Sequence, residues 1–432
     1  MAHLQLPEAT PMAATAGSPP LPFSKFPKYH SLLRPKRVRR TVEAAARGGD
    51  APDLRVIFAG GGSGGHIYPA LAIADELRSA RPGIRIVFLG TGTGMERDLV
   101  PAAGHEFLPV PKARLARPFL SPQNLLLPLA LLRSIFSSWN LLRSLRPHLV
   151  VGTGAYVCAP VCFAAALAGL KLVIQEQNCY PGITNRALAP YAEKIFLAFN
   201  ACLKYFPTEK CIVAGNPIRL SIGHGASKAK ARSHFFPEAG DGRAQVVLVL
   251  GGSTGANALN VVFLETYYKM LVEHEDWYII WQTGAELYDE TKTLVKNHSR
   301  LLLAPFLDAM DLAYAASDVV VSRAGAMTCT EILTTGKPSI LIPSPTSAED
   351  HQTKNAYMMA DLAGSKVLTE EELDSNLLED TINEVLGDES LMAEMSEKAM
   401  RAARPNASSD IAKCILSLVE HSSAYLEENS SK

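Results

Sequence analysis

Two glycine-rich turns stand out as places where backbone chemistry is exposed. Gly60-Gly61-Gly62-Ser63-Gly64-Gly65-His66 follows the apolar run Leu54–Ala59, and Gly251-Gly252-Ser253-Thr254-Gly255-Ala256 follows Val246–Leu250. A strand that ends in glycines and re-enters as a helix lets a ligand approach the backbone closely. The free amides and helix dipole at that point favour an anion. Residues 60–65 also satisfy G-x-G-x-x-G, the dinucleotide fingerprint, which requires an acid about 20 residues on to hold a ribose. No acid occurs from Pro82 to Met95, so the fingerprint is incomplete and nicotinamide binding recedes. The nucleoside-triphosphate sequence G-x-x-x-x-G-K-[ST] does not occur. His66 is a candidate base: it follows the first turn at once, and the positive end of a helix suits an imidazole that works uncharged.

Four further segments put polar side chains where an apolar run has just ended. They are Gln175-Glu176-Gln177-Asn178, Gly215-Asn216-Pro217-Ile218-Arg219, Ser322–Thr328 with Glu331 on the next turn, and Asp350–Asn355. Any one of them reads equally as capping chemistry. Their recurrence at successive strand ends points to one shared ligand.

The elements that must hold these groups alternate along the chain. Apolar, β-branched runs at 54–59, 84–89, 149–151 and 172–174 are separated by helical stretches, the first over 69–80 with Pro69 near its start. The plan repeats with runs at 246–250, 278–281, 301–303, 319–321 and 339–342. Buried strands alternating with helices predict parallel sheets of βαβ units. The expected organisation is a leader over 1–52, a first doubly wound domain over 53–213, a linker over 214–242 rich in Gly, Ala, Ser and Lys, a second domain over 243–420 and a tail over 421–432. Ligands of such sheets sit outside the strands' carboxyl ends, so a cleft between the halves is the expected site.

Composition sets the outer limits. The 432 residues are 47% apolar and 20% charged, an ordinary globular balance, and a net charge of −1 gives no sign of nucleic-acid affinity. The leader is different, with eight Lys/Arg against two acids in residues 1–49. Arg-rich, Ser-containing and acid-poor, it reads as an organellar transit peptide, with a retained basic tail as the rival. The seven cysteines form no Cys-x-x-Cys pair and predict reduced, buried thiols rather than a zinc or redox site. The uncharged stretch 147–170 is broken by Gly152, Gly154 and Pro160, so no transmembrane segment is expected. Residues 107–175 lack acids yet carry seven Lys/Arg, and within 112–146 cations alternate with aromatic and leucine residues. That pattern predicts either peripheral docking on an anionic bilayer or a core helix with solvated cations.

Taken together, Gly61–Pro69, Gly152–Tyr156, Glu176–Asn178 with Gly182 and Asn185, Gly215–Arg219, Gly251–Asn260, Trp281–Gly284, Ser322–Glu331 and Gly336–Asn355 closely resemble the MurG family. These are UDP-N-acetylglucosamine:lipid I N-acetylglucosaminyltransferases, which make lipid II. The resemblance spans about residues 54–365, and with the leader the chain looks like a plastid-targeted plant member. It implies an α/β GT-B fold, two Rossmann-like domains facing across a cleft, with UDP-GlcNAc held mainly by the second and the acceptor by the first. Carried over by position, Glu331 holds the ribose hydroxyls, the Leu307 backbone the uracil, and Ser253 and Arg219 the diphosphate. Ala326, Met327, Thr328, Cys329 and Thr330 line the nucleotide, Gln352 reads the sugar hydroxyls, and Ser63, Gly64, Gly65 and Asn178 face the sugar from the other domain. Tyr156, Glu176 and Asn185 fall on the acceptor side. Two positions depart from the family pattern: Gln175 replaces a common His, and Ala155 replaces the second glycine of a Gly-Gly-Tyr run.

The implied reaction is a single inverting displacement, with His66 as base and UDP leaving. The chain has no Asp-x-Asp pair. Loop amides, helix termini and Arg219 are therefore expected to stabilise the leaving group without a metal or other cofactor. Rival readings are a plastid galactolipid synthase using diacylglycerol, a non-catalytic UDP-sugar-binding scaffold and, as outsider, a nicotinamide dehydrogenase.

Overall fold

The computed structural model describes residues 54–113, 116, 121–223, 226–238 and 244–430. The leader expected over 1–52 and the basic residues Arg114 and Arg117 lie outside them. The first half runs β1 (Arg55–Ala59), α1 (Gly64–Ala80), β2 (Arg85–Thr91), α2 (Glu96–Ala102), β3 (Glu106–Val110) and α3 (Leu127–Leu145). It continues through β4 (Leu149–Gly152), α4 (Ala155–Leu167), β5 (Lys171–Glu176), α5 (Ile183–Leu188), β6 (Lys194–Leu197) and β7 (Cys211–Val213). The second half opens with α6 (Leu220–Gly223), α7 (Lys228–Phe235), β8 (Gln245–Leu250), α8 (Asn257–Glu273), β9 (Trp277–Gln282) and α9 (Tyr288–Leu294). There follow β10 (Leu301–Ala304), α10 (Met310–Ala316), β11 (Val319–Ser322), α11 (Ala326–Thr335), β12 (Ser339–Leu341) and α12 (His351–Ala363). β13 (Lys366–Val367), α13 (Ser375–Gly387), α14 (Glu389–Ala402) and α15 (Ala407–Ser430) complete the chain.

Every strand pairs in parallel. The first sheet has the order β3-β2-β1-β4-β5-β6-β7 and the second β10-β9-β8-β11-β12-β13. The order reverses beside β1 in one and beside β8 in the other, and both glycine turns leave the sheet at those reversal points. Buried valines, isoleucines and leucines fill both faces of each sheet, as parallel strands covered by helices require.

Several boundaries differ from the sequence expectation. α1 begins at Gly64 rather than near Pro69: the amides of His66 and Ile67 bond the Ser63 carbonyl at 3.2 and 3.3 Å, so His66 already lies in the first turn. The segment expected as a linker is partly built into the second domain. Ser227 Oγ caps α7, Arg232 bonds Asp318 at 2.6 Å, and Ala231 and Phe236 enter the core beside Tyr314. The last helix does not stay with the second domain or end in a tail at 421. It continues to Ser430 and returns to the first domain, where Ile411, Ala412, Ile415 and Val419 pack with Ile67, Ala70 and Ile73 of α1. Residues 147–170 form β4, a turn and the 13-residue α4. The helical stretch Asn124–Leu145 is long and apolar enough to cross a membrane by length and composition. It packs one face on the first domain, burying Ser134, Ser138 and Leu142.

Candidate functional site

Strand ends of the two sheets meet across the reversal points, and the side chains there are tied by buried hydrogen bonds. His66 occupies the first turn of α1. Its Nδ1 lies 2.8 Å from the Thr153 carbonyl and 3.1 Å from Gln177 Oε1. Both partners are acceptors, so Nδ1 carries the proton and Nε2 holds the lone pair. Gly154 must be glycine here: its φ is +89°, and a Cβ would sit 3.1 Å from the imidazole. Ser63 is exposed, and Gly64 and Gly65 are half-buried at the helix start. Tyr156 stands over the first loop, its ring 3.2 Å from where a Gly62 Cβ would be.

Behind the first loop is an acid that sequence reasoning missed. Glu96, fully buried, accepts from the Gly62 amide at 2.9 Å and from the Thr91 amide and hydroxyl at 2.9 and 2.6 Å. It lies one residue beyond the acid-free stretch Pro82–Met95, and it turns back into the loop.

The acceptor-side residues divide. Glu176 and Asn185 are buried and spent on their own loop. Glu176 Oε1 accepts from the Asn178 amide at 3.0 Å, while Oε2 accepts from the Gly182 amide at 3.1 Å and Asn185 Nδ2 at 2.8 Å. These bonds hold that wall of the first domain together. Asn185 Oδ1 is buried with no partner. Asn178 reaches across the cleft: its Oδ1 accepts from Asn355 Nδ2 at 3.2 Å, while Asn355 Oδ1 takes the Cys179 amide at 3.1 Å.

On the second domain, Glu331 projects from α11 and accepts from the Tyr314 hydroxyl at 2.9 Å. Burial pushes its carboxyl above the ordinary range, opposed by Arg219 and by that hydrogen bond. The Arg219 guanidinium stacks 4.5 Å over the Tyr68 ring of α1 and so bridges both halves. Ala326, Met327 and Thr328 form the start of α11, and Thr330 Oγ1 is buried between the Ala326 carbonyl and Asn216. Cys329 faces away into the hydrophobic core, where burial pushes its thiol up. Helical periodicity turns it away from Thr328, so it does not line the cleft. The Leu307 amide is already bonded to Gln282 Oε1 at 3.0 Å, which leaves its carbonyl for a base edge. Gln282 Nε2 in turn holds the Gly252 carbonyl at 3.1 Å beside the exposed Ser253. Gln352 Oε1 accepts from the Ser344 amide at 2.9 Å, so its amino end is the part left for a ligand. Neighbouring His351 has a buried Nε2 without a hydrogen-bond partner, and burial pushes its imidazole down.

On the first domain, α3 and the turn before it carry an outward apolar ridge. Leu125 (84% exposed), Leu126, Leu129, Leu132 and Phe136 (67%) all face solvent, far more contiguous apolar surface than scattered single residues.

Residues 56–197 match the glycosyltransferase family 28 N-terminal domain and residues 246–413 the family 28 C-terminal domain. A UDP-N-acetylglucosamine--N-acetylmuramyl-(pentapeptide) pyrophosphoryl-undecaprenol N-acetylglucosamine transferase of Salinibacter ruber is 42% identical over 365 residues, covering 84% of this chain and 97% of that protein. The enzyme of the same name from Flavobacterium psychrophilum is 38% identical over 366 residues, covering 85% and 98%. The crystal structure of Acinetobacter baumannii MurG superposes with a TM-score of 0.65 at 29% identity, over 84% of this chain and 99% of that one. With both family 28 domains in order on two parallel Rossmann-like sheets, the chain belongs to the MurG family of GT-B glycosyltransferases.

Proposed function

We propose that this protein transfers N-acetylglucosamine from UDP-GlcNAc to a lipid-linked muramyl-peptide acceptor, the step from lipid I to lipid II. The observation that carries the reading is the pairing of an imidazole with an unbonded Nε2 on the first domain with the Arg219–Glu331–Tyr314 cluster on the second. His66 Nε2 takes the proton of the acceptor hydroxyl as its oxygen attacks the anomeric carbon and UDP leaves, inverting that centre. Arg219 and the amides of the second glycine loop stabilise the charge developing on the diphosphate. Glu331 accepts from the ribose, the Leu307 carbonyl from the uracil, and the Gln352 amino group meets the sugar.

Transfer without a metal is supported by the lack of an Asp-x-Asp pair and by Arg219 at the domain junction. Among the described residues no three His, Cys, Asp or Glu side chains gather as a metal-ligand set. The exposed ridge on α3, flanked by Arg133 and Arg143, docks the enzyme on the membrane that carries the acceptor, lying along it with its other face on the first domain. The basic, acid-poor leader directs the chain to a plastid.

The deciding experiment offers radiolabelled UDP-GlcNAc to purified protein with lipid I, diacylglycerol or neither, with and without EDTA. Chelator-insensitive label on lipid I is expected. Label on diacylglycerol alone would make the protein a glycolipid synthase, and label nowhere despite UDP binding would make it a scaffold. His66→Ala should abolish turnover while leaving UDP affinity intact. Arg133→Glu with Arg143→Glu should weaken liposome flotation, and a leader–fluorophore fusion should enter isolated chloroplasts.

A further inference from the structure

We propose that Gln177 is the positioning residue of His66 and the first link of a hydrogen-bond chain that ties the imidazole to α11 of the opposite domain. The base role of His66 rests on the function proposed above; the chain itself rests on geometry. Gln177 donates through Nε2 to the Thr153 carbonyl at 2.8 Å and to Gln175 Oε1, which leaves its own Oε1 as the end facing His66 Nδ1 at 3.1 Å. Gln175 Nε2 donates to Asn216 Oδ1 at 2.8 Å, and Asn216 Nδ2 donates to Thr330 Oγ1 at 2.9 Å. The Thr330 hydroxyl closes the run on the Ala326 carbonyl at 2.9 Å.

Each link points the same way, with the donor on the His66 side and the acceptor on the α11 side. Each amide therefore turns its carbonyl oxygen towards the imidazole. Bonds arranged head to tail polarise one another. When Nε2 takes a proton and the ring becomes cationic, the negative ends of these dipoles already face it. A carboxylate would serve the same purpose, but at the desolvation cost of a buried charge. Gln175, Gln177 and Asn216 are each no more than 1% exposed, so water cannot replace a lost link. Asn216 lies where the chain crosses between domains, and Thr330 precedes Glu331. The imidazole is consequently fully oriented only when the donor-side helix is in place.

The test uses the full chain. Gln177→Met keeps the volume and removes both polar ends. It is expected to lower kcat about tenfold or more, with the KM for UDP-GlcNAc and calorimetric UDP affinity within twofold of wild type. Gln175→Leu should behave alike. Gln175→His should recover most of the rate, because one ring nitrogen can accept from Gln177 while the other donates to Asn216. Nitrogen-15 spectra of histidine-labelled wild type should show His66 protonated at Nδ1. A Gln177→Met kcat within twofold of wild type, UDP affinity falling in step with kcat, or an Nε2–H tautomer would each overturn the proposal. If Gln177→Met fails to fold by circular dichroism, the Gln175→Leu and Gln175→His pair decides by the same criteria. If wild type transfers to no acceptor, the functional reading fails, while the tautomer still decides the chain.

Discussion

Replacing Glu96 tests how the first glycine loop is held. Three donors converge on this buried carboxyl: the Gly62 amide, the Thr91 amide and the Thr91 hydroxyl. Glu96→Ala strands all three, and each unsatisfied buried donor costs about 1–3 kcal/mol. Gly62 itself is exposed, so water recovers its share, and the expected loss is about 3–5 kcal/mol. Glu96→Gln retains one oxygen for Thr91 but turns an amino group on the Gly62 amide, and should cost about 1–2 kcal/mol. The same carboxyl explains three glycines. A Cβ would lie 2.1 Å from Glu96 Oε2 at Gly94, 2.5 Å from Cδ at Gly61 and 2.6 Å from Cγ at Gly90. Gly94→Ala should therefore be harmful alone and cheaper in the Glu96→Ala background, a coupling of about 1 kcal/mol or more. Urea unfolding of the four proteins measures it. Glu96→Ala within 1 kcal/mol of wild type, or strict additivity with Gly94→Ala, would refute the assignment.

Tyr314→Phe should weaken UDP binding about tenfold, since a hydrogen bond to a charged group is worth about 1.5–3 kcal/mol. The hydroxyl stabilises the ionised Glu331 carboxyl, so losing it should move the acid fall-off of UDP affinity to higher pH; calorimetry from pH 5.5 to 8 checks both. Ala155, at φ +65°, occupies a left-handed conformation that costs a non-glycine residue about 1 kcal/mol. Ala155→Gly should raise the Tm by a few degrees, and a lower Tm counts against it. Ile415→Ala, deep in the contact between α15 and the first domain, should cost about 2–4 kcal/mol by thermal or urea unfolding.

The features legible in the sequence were those written in local pattern. Fully buried parallel strands are continuous apolar runs, so β1, β2, β4, β5 and β8 to β12 showed directly. β3 (Glu106–Val110), β6, β7 and β13 are short or carry polar residues, with burial that only their neighbours decide. α7 looked like linker because its mean composition is polar; one alanine and the following Phe236 anchor it. The glycine turns and the placement of His66 and Glu331 just past strand ends were readable because φ > 0 and strand-end polarity leave residue-type signatures. Glu96, Gln177 and the inward turn of Cys329 were not, since their significance lies in which way a side chain points after folding. Glu176 and Asn185 were placed on the acceptor side by resemblance alone; that the Glu176 carboxyl takes four hydrogen bonds and so holds one loop was not legible.

The two glycine turns, equivalent in topology, differ in electrostatics. A carboxyl stands directly behind the first, whereas the second backs onto the main-chain carbonyls of Gln282 and Thr283 and the side chain of Leu287. A phosphate about 6 Å from a carboxylate is repelled by about 3 kcal/mol at an effective dielectric of 20, so a diphosphate placed equally near the two loops prefers the second. His66 follows four residues after Gly62, whose amide Glu96 holds. The second turn is therefore better suited to an anion than the first. Glu96 draws that distinction from the start of α2, just past β2 and beyond the stretch Pro82–Met95 in which the dinucleotide fingerprint would have placed its ribose-holding acid.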